Sequence, residues 1–195
     1  MKHEWYAWGP YLAKFKVENK LIKELNKRAK TLTRDARFTL AGHLDNEKFY
    51  EDKDKEWFME TFKPYFQSYL EESVKRQSLA KPINKVKLID LWINFMKRYE
   101  YNPPHFHDGD LSFVIYTKVP QKLIDEEYIG TSGKPGSIIF QFGEQGSRVG
   151  GYITQRTFMP EEGDMFIFPA GLYHHVTPYK TNVERISVSG NIDIE

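Results

Sequence analysis

From Lys85 onward the sequence is a succession of short runs in which apolar and polar residues alternate, each cut off by glycine or proline. Period-two alternation marks a strand with two unlike faces. The runs cover 85–99, 111–120, 137–143, 150–158, 165–176 and 183–194, with a polar excursion at 121–135 that ends in the turn chemistry of Thr131-Ser-Gly-Lys-Pro-Gly136. Strands this short cannot stand alone and must close face to face. The expected core is therefore a β-sandwich or barrel.

The first 84 residues have a different rhythm. Residues 10–17 alternate Leu12, Phe15 and Val17 with Lys14 and Lys16, which predicts a strand. Asn19 is placed to cap a helix through Lys30, with Leu21, Ile22, Leu25 and Ala29 on one face. Residues 31–53 are polar and irregular apart from the apolar island 40–44, where His43 reads as a surface or partly buried histidine. From Asp54 to about Leu79, Trp57, Phe58, Phe62, Phe66, Tyr69 and Leu70 recur at helical spacing. That stripe is a face for packing on a sheet, with a kink or break expected near Pro64 and an end at Lys81–Pro82. The expectation is one domain over 1–195: an N-terminal strand and supporting helices in 1–84, and a β core carrying the site in 85–195.

Charge narrows the function. The 28 basic and 27 acidic residues are well mixed and leave a net charge of +1, which argues against a nucleic-acid or membrane-surface binder. With no cysteine there is no disulfide framework, thiolate metal site or cysteine nucleophile. The start, MKHEWYAWGPY, lacks an apolar signal core, and no run approaches a membrane span. A soluble, cytoplasmic protein is expected.

Two stretches carry chemistry. In Asn102–Tyr116, NPPHFHDGDLSFVIY, the prolines favour extended backbone, so His105 and His107 project to one face as a metal edge. Asp108 reads as a solvated turn residue, and Trp92 and Asn94 as residues that orient the preceding strand. In Gly163–Ser189, His174 and His175 offer a third ligand, leaving open positions as in non-haem iron sites. Arg185 follows eleven residues after His174 on an apolar strand. An inward arginine is costly unless it binds an anion, and a bidentate carboxylate is the natural one.

These motifs together resemble the Fe(II)- and 2-oxoglutarate-dependent oxygenases of the prolyl-4-hydroxylase-like kind, and more narrowly the small oxygenases of marine bacteria and their phages. The match rests on Trp92-Ile-Asn94, Asn102-Pro-Pro-His-Phe-His107, Leu111–Pro120, Phe168–Val176 and Glu184–Ser189, spanning roughly 85–192. The resemblance implies a mainly β fold with α, a double-stranded β-helix (jelly-roll, cupin-like) supported by N-terminal helices. It implies Fe(II), 2-oxoglutarate and O2, and hydroxylation of a protein side chain such as proline or of a small molecule. It makes His105 and His174 iron ligands, His174 rather than His175 by its place in the F-P…L-x-H-x-V pattern. Arg185 becomes the anchor of the distal carboxylate, with Tyr116 and Ser187 joining it. A phage-encoded enzyme acting in a host cytoplasm is consistent with it.

The chain departs from that family at one position, because the usual H-x-D or H-x-E has histidine at 107. Three arrangements stay open: His107 takes the carboxylate's place, Asp110 reaches the metal after a turn at Gly109, or water fills the gap. A different three-histidine cupin (dioxygenase, isomerase or lyase) or a non-enzymatic β-sandwich are the competing readings. Substrate and oligomeric state have no signal in the sequence.

Overall fold

The computed structural model describes residues 9–76, 85–143 and 154–195. Two antiparallel sheets face each other. The larger is built from β1 (Ala13–Lys16), β2 (Glu47–Phe49), β3 (Val86–Met96), β5 (Leu111–Lys118), β8 (Asp164–Pro169) and β10 (Arg185–Ile194), in the order β1-β8-β5-β10-β3-β2. The smaller is built from β4 (Asn102–His105), β6 (Ile138–Gln141), β7 (Gln155–Phe158) and β9 (Tyr173–Val176), in the order β4-β9-β6-β7. Helices α1 (Asn19–Ala29) and α2 (Asp52–Lys75) cover the larger sheet, and a short α3 (Gln121–Ile124) follows β5. This is the expected jelly-roll supported by N-terminal helices.

Alternation decides which side chain meets which layer. In β5, Phe113 and Ile115 join the helix-side core, while Val114 and Tyr116 join the core between the sheets. β8 does the same, with Met165 and Ile167 outward and Phe166 and Phe168 inward. On the helix side, Phe58 of α2 stacks on Phe62 at 4.3 Å and on Phe113 of β5 at 5.0 Å between ring centroids. Gly190 of β10 lies beside this stack: a Cβ there would stand 2.6 Å from the Phe113 ring and 2.5 Å from the Asp90 carbonyl. The glycine leaves room for the aromatic.

Four local expectations need correction. Asn19 is the first helical residue of α1, and Glu18 is its N-cap, with no side-chain cap bond. α2 continues through Pro64 without a break. Pro64 is exposed there while Phe62 and Phe66 are buried, so packing of the aromatic face holds the helix across the lost backbone bond. Residues 31–53 are not wholly irregular, because Glu47–Phe49 pairs with β3 as an edge strand. The polar excursion at 121–135 opens with the helical turn α3. The end expected at Lys81–Pro82 and the start of the run at 150–158 lie outside the described residues. Among the described residues no helix is long and apolar enough to cross a membrane.

If the aromatic stack seats the helices, Phe58→Ala costs about 3–5 kcal/mol in urea unfolding. Phe38→Ala, at a side chain 89% exposed, stays within about 0.5 kcal/mol. Equal effects would show that α2 is not seated on the sheet.

Candidate functional site

Register across the larger sheet creates a polar row on its inner face. Glu47 of β2 stands opposite Asn94 of β3, Asn94 opposite Ser187 of β10, and Ser187 opposite Tyr116 of β5. Cross-strand partners share a face, and all four line one pocket between the sheets.

The smaller sheet supplies histidines to the same pocket. His105 of β4 is in register with His174 of β9, their ring centroids 4.3 Å apart. His107 lies just beyond β4, its backbone N–H donating to the Ala170 carbonyl at 3.0 Å. One ring nitrogen from each of the three lies within 4.8 Å of the others. Two of the rings are oriented by backbone: His105 Nδ1 is 2.7 Å from the Pro103 carbonyl and His174 Nδ1 is 2.8 Å from that of Leu172. A carbonyl only accepts, so each Nδ1 carries the proton and each Nε2 keeps its lone pair. His107 Nε2 and His174 Nε2 approach to 3.3 Å.

Burial keeps these rings neutral. Desolvation, with His105 adding repulsion, pushes His107 down to about 3. Desolvation also holds His174 well below the usual histidine range and lowers His105. Trp92, 5.6 Å from the His107 ring, is part of the apolar wall. Three neutral, convergent imidazoles form a donor set suited to a divalent transition metal.

Arg185 begins β10 and is 2% exposed. One Nη donates to the Gly136 carbonyl at 2.7 Å and the other contacts Met96 Sδ at 2.9 Å, while Nε has no partner. Among the described residues no carboxylate pairs with it. Its guanidinium lies 5.2 Å from the centre of the Tyr116 ring. The Tyr116 hydroxyl is buried and unpartnered, and desolvation pushes it up to about 12 despite Arg185. Ser187 Oγ accepts from Asn94 Nδ2 at 3.5 Å. A buried cation beside a protonated, unpartnered phenol is a place prepared for an anion.

The remaining candidates fall elsewhere. Gly109, at φ 90°, turns Asp110 outward, where its carboxylate accepts from the Ile194 N–H at 2.7 Å. The Asp110 alternative is therefore not the arrangement this structure takes. Asp108 is exposed. His175 lies half-buried on the opposite face from His174, and His43 is exposed and stacked on Tyr101. Glu47 went unread in the sequence because its strand is three residues long, too short for alternation to register. Asn102 went unread because the prolines and histidines after it dominate the motif. Asn94, taken for an orienting residue, also lines the pocket.

A double-stranded β-helix with three convergent histidines and a buried arginine lining one pocket is the arrangement expected of a non-haem oxygenase. The family model "Putative 2OG-Fe(II) oxygenase" matches residues 90–191. The chain belongs to that family of Fe(II)- and 2-oxoglutarate-dependent dioxygenases. No curated protein sequence matches it. Among solved structures it is similar to a prolyl-4-hydroxylase from Pseudomonas putida at 15% identity and a TM-score of 0.54, covering 94% of this chain and 92% of that one. It is similar to the viral collagen prolyl hydroxylase of Paramecium bursaria Chlorella virus-1, solved with 2-oxoglutarate, at 14% identity and 0.57, covering 94% and 96%. HygX from Streptomyces hygroscopicus, with nickel, 2-oxoglutarate and hygromycin B bound, aligns at 10% identity and 0.56, covering 93% and 82%. At these identities the likenesses establish the fold.

Glu47 yields a test of the pocket's electrostatics. It is 1% exposed, and burial, reinforced by Glu100 and Asp35, pushes its carboxyl from 4.5 up to about 7. Below about pH 4.5 it is protonated folded or unfolded. Above that the unfolded chain loses the proton first, so stability falls between about pH 4.5 and 7 and the loss persists above. Glu47→Gln should therefore raise Tm relative to wild type more at pH 8 than at pH 5, at roughly 2–4 °C per kcal/mol. Equal differences at both pH values would mean that the carboxyl folds already ionised.

Proposed function

We propose that His105, His107 and His174 hold the iron, that Arg185 with Tyr116 holds the distal carboxylate of 2-oxoglutarate, and that the enzyme hydroxylates an aliphatic C–H. The observation that carries this reading is the buried, uncompensated Arg185 in the same pocket as three convergent neutral histidines. Loaded with iron and 2-oxoglutarate, such a site uses O2 to convert 2-oxoglutarate to succinate and CO2 and to place one oxygen atom on the substrate.

The chain's own groups prepare that site. The Pro103 and Leu172 carbonyls fix the His105 and His174 rings with Nε2 aimed at one point, so binding costs little reorientation. Arg185 supplies charge and Tyr116 a hydroxyl that stays protonated and free to donate. Ser187, in register with Tyr116, flanks the same carboxylate. Phe140 and Phe168, 5.9 and 4.8 Å from the His174 ring, exclude water from that side. With His107 in place of a carboxylate, the first coordination shell carries one negative charge fewer than in the usual family motif, which shifts redox tuning and metal preference.

On the substrate side, a prolyl side chain is the first expectation, because two of the neighbours are prolyl hydroxylases. A small molecule is the second, HygX having been solved with hygromycin B. The all-histidine face also favours a second reading, a three-histidine cupin that makes no use of Arg185.

Anaerobic titration of the metal-stripped protein with Fe(II) and 2-oxoglutarate separates the two. A visible charge-transfer band that requires both components is expected. Arg185→Ala should weaken 2-oxoglutarate at least about thirtyfold while metal binding persists, the cost of removing one partner of a buried charge pair. His174→Ala should lose the metal and His175→Ala should keep it. Metal binding without the band would favour the other cupin chemistry, and no metal binding would sink both.

A further inference from the structure

Besides the Tyr116 hydroxyl, three oxygens in the pocket lack partners. Glu47 Oε2, Asn94 Oδ1 and Asn102 Oδ1 are buried without a hydrogen bond, and all three residues line the pocket that holds the histidines. Glu47 is 1% and Asn94 5% exposed. Gly42 marks how closely two of these side chains approach: a Cβ there would stand 2.5 Å from Asn102 Oδ1 and 2.8 Å from Glu47 Oε1, the other oxygen of that carboxyl. Any side chain at 42 would crowd the Asn102 and Glu47 oxygens.

Among the described residues no cation pairs with them, the pocket's own Arg185 lying at the Tyr116 end of the row. Arg37 acts on Glu47 by charge, but its guanidinium is committed to both oxygens of Asp35, at 3.0 and 2.6 Å. Glu100, spent on the backbone N–H groups of Asp45 and Lys97, adds negative field, as does Asp35. Unpartnered acceptors in a negative field call for a donor-rich cation. A primary ammonium has three N–H donors and no acceptor, one for each oxygen. A prolyl ring within a peptide has no N–H and would leave all three unpaired.

We infer that Glu47, Asn94 and Asn102 form a substrate subsite for a primary aliphatic amine, carried on an extended chain whose C–H groups reach the metal edge. The subsite deepens the oxygenase reading: its use in hydroxylation rests on that reading, and its binding preference does not. The amine belongs to a lysyl side chain or to a free alkylamine, which share this chemistry.

The test is calorimetric binding of Nα-acetyl-lysine-N-methylamide and n-pentylamine to the full-length wild-type chain. Their alcohol isosteres, Nα-acetyl-6-hydroxynorleucine-N-methylamide and n-pentanol, serve as references. At least one amine should bind about tenfold or more tightly than its alcohol, the worth of one charge-assisted hydrogen bond. Glu47→Gln, its folding checked by circular dichroism, should erase the preference. Preference for the capped lysine alone assigns a peptide substrate, and equal preference for pentylamine assigns a small amine. Amine and alcohol binding equally, neither binding, or a preference that survives Glu47→Gln would each overturn the subsite. A charge-transfer band with no amine preference defeats the subsite alone. An amine preference without the band defeats the oxygenase reading alone.

Discussion

Two-sided burial of the central strands is the constraint on which the rest of the molecule depends. β5 and β10 each have apolar residues on the face that meets α1 and α2, and that face anchors the sheet. With stability supplied there, the inner face is free to hold groups that contribute nothing to it. Arg185, Ser187 and Tyr116 project inward from the strands whose other faces hold Val188, Phe113 and Ile115 against the helices. A one-residue slip of β10 would turn Arg185 toward the helix side and Val188 into the pocket. The helix layer thus fixes the register of the site without touching it.

The pocket concentrates unsatisfied polarity. A buried guanidinium, a phenol, a carboxyl and two carboxamides each have at least one atom without a partner. Each is costly alone. Their arrangement is chemically ordered, with donors gathered at the Arg185–Tyr116 end and acceptors at the Glu47 end of one cross-strand row. The histidine edge of the opposite sheet completes the pocket. Binding energy at the two ends would orient two different molecules toward one metal.

Most of the fold and much of the site were legible in the sequence because they depend on period-two alternation and on motifs with strong local cause. The pair Pro103–Pro104 enforces extension and so sets His105 and His107 side by side. The apolar strand after Arg185 announces an inward cation. What stayed hidden depends on pairing between distant segments. Glu47 belongs to a strand of three residues that exists only because β3 provides a partner. Asp110 could be excluded from the triad only once its bond to the Ile194 N–H was visible. The continuity of α2 through Pro64 likewise reflects tertiary packing that overrides a local breaker.

Glu47 and the neighbouring Leu40–Gly42 wall lie outside residues 90–191, the part of the chain that defines its family. The histidines and the arginine lie inside it. The proposed subsite straddles that boundary, with Asn94 and Asn102 inside it beside the histidines and Glu47 outside. Exchanging the short edge strand and its preceding loop would rebuild one wall of the pocket while leaving the histidines, the arginine and the central strands that carry them in place.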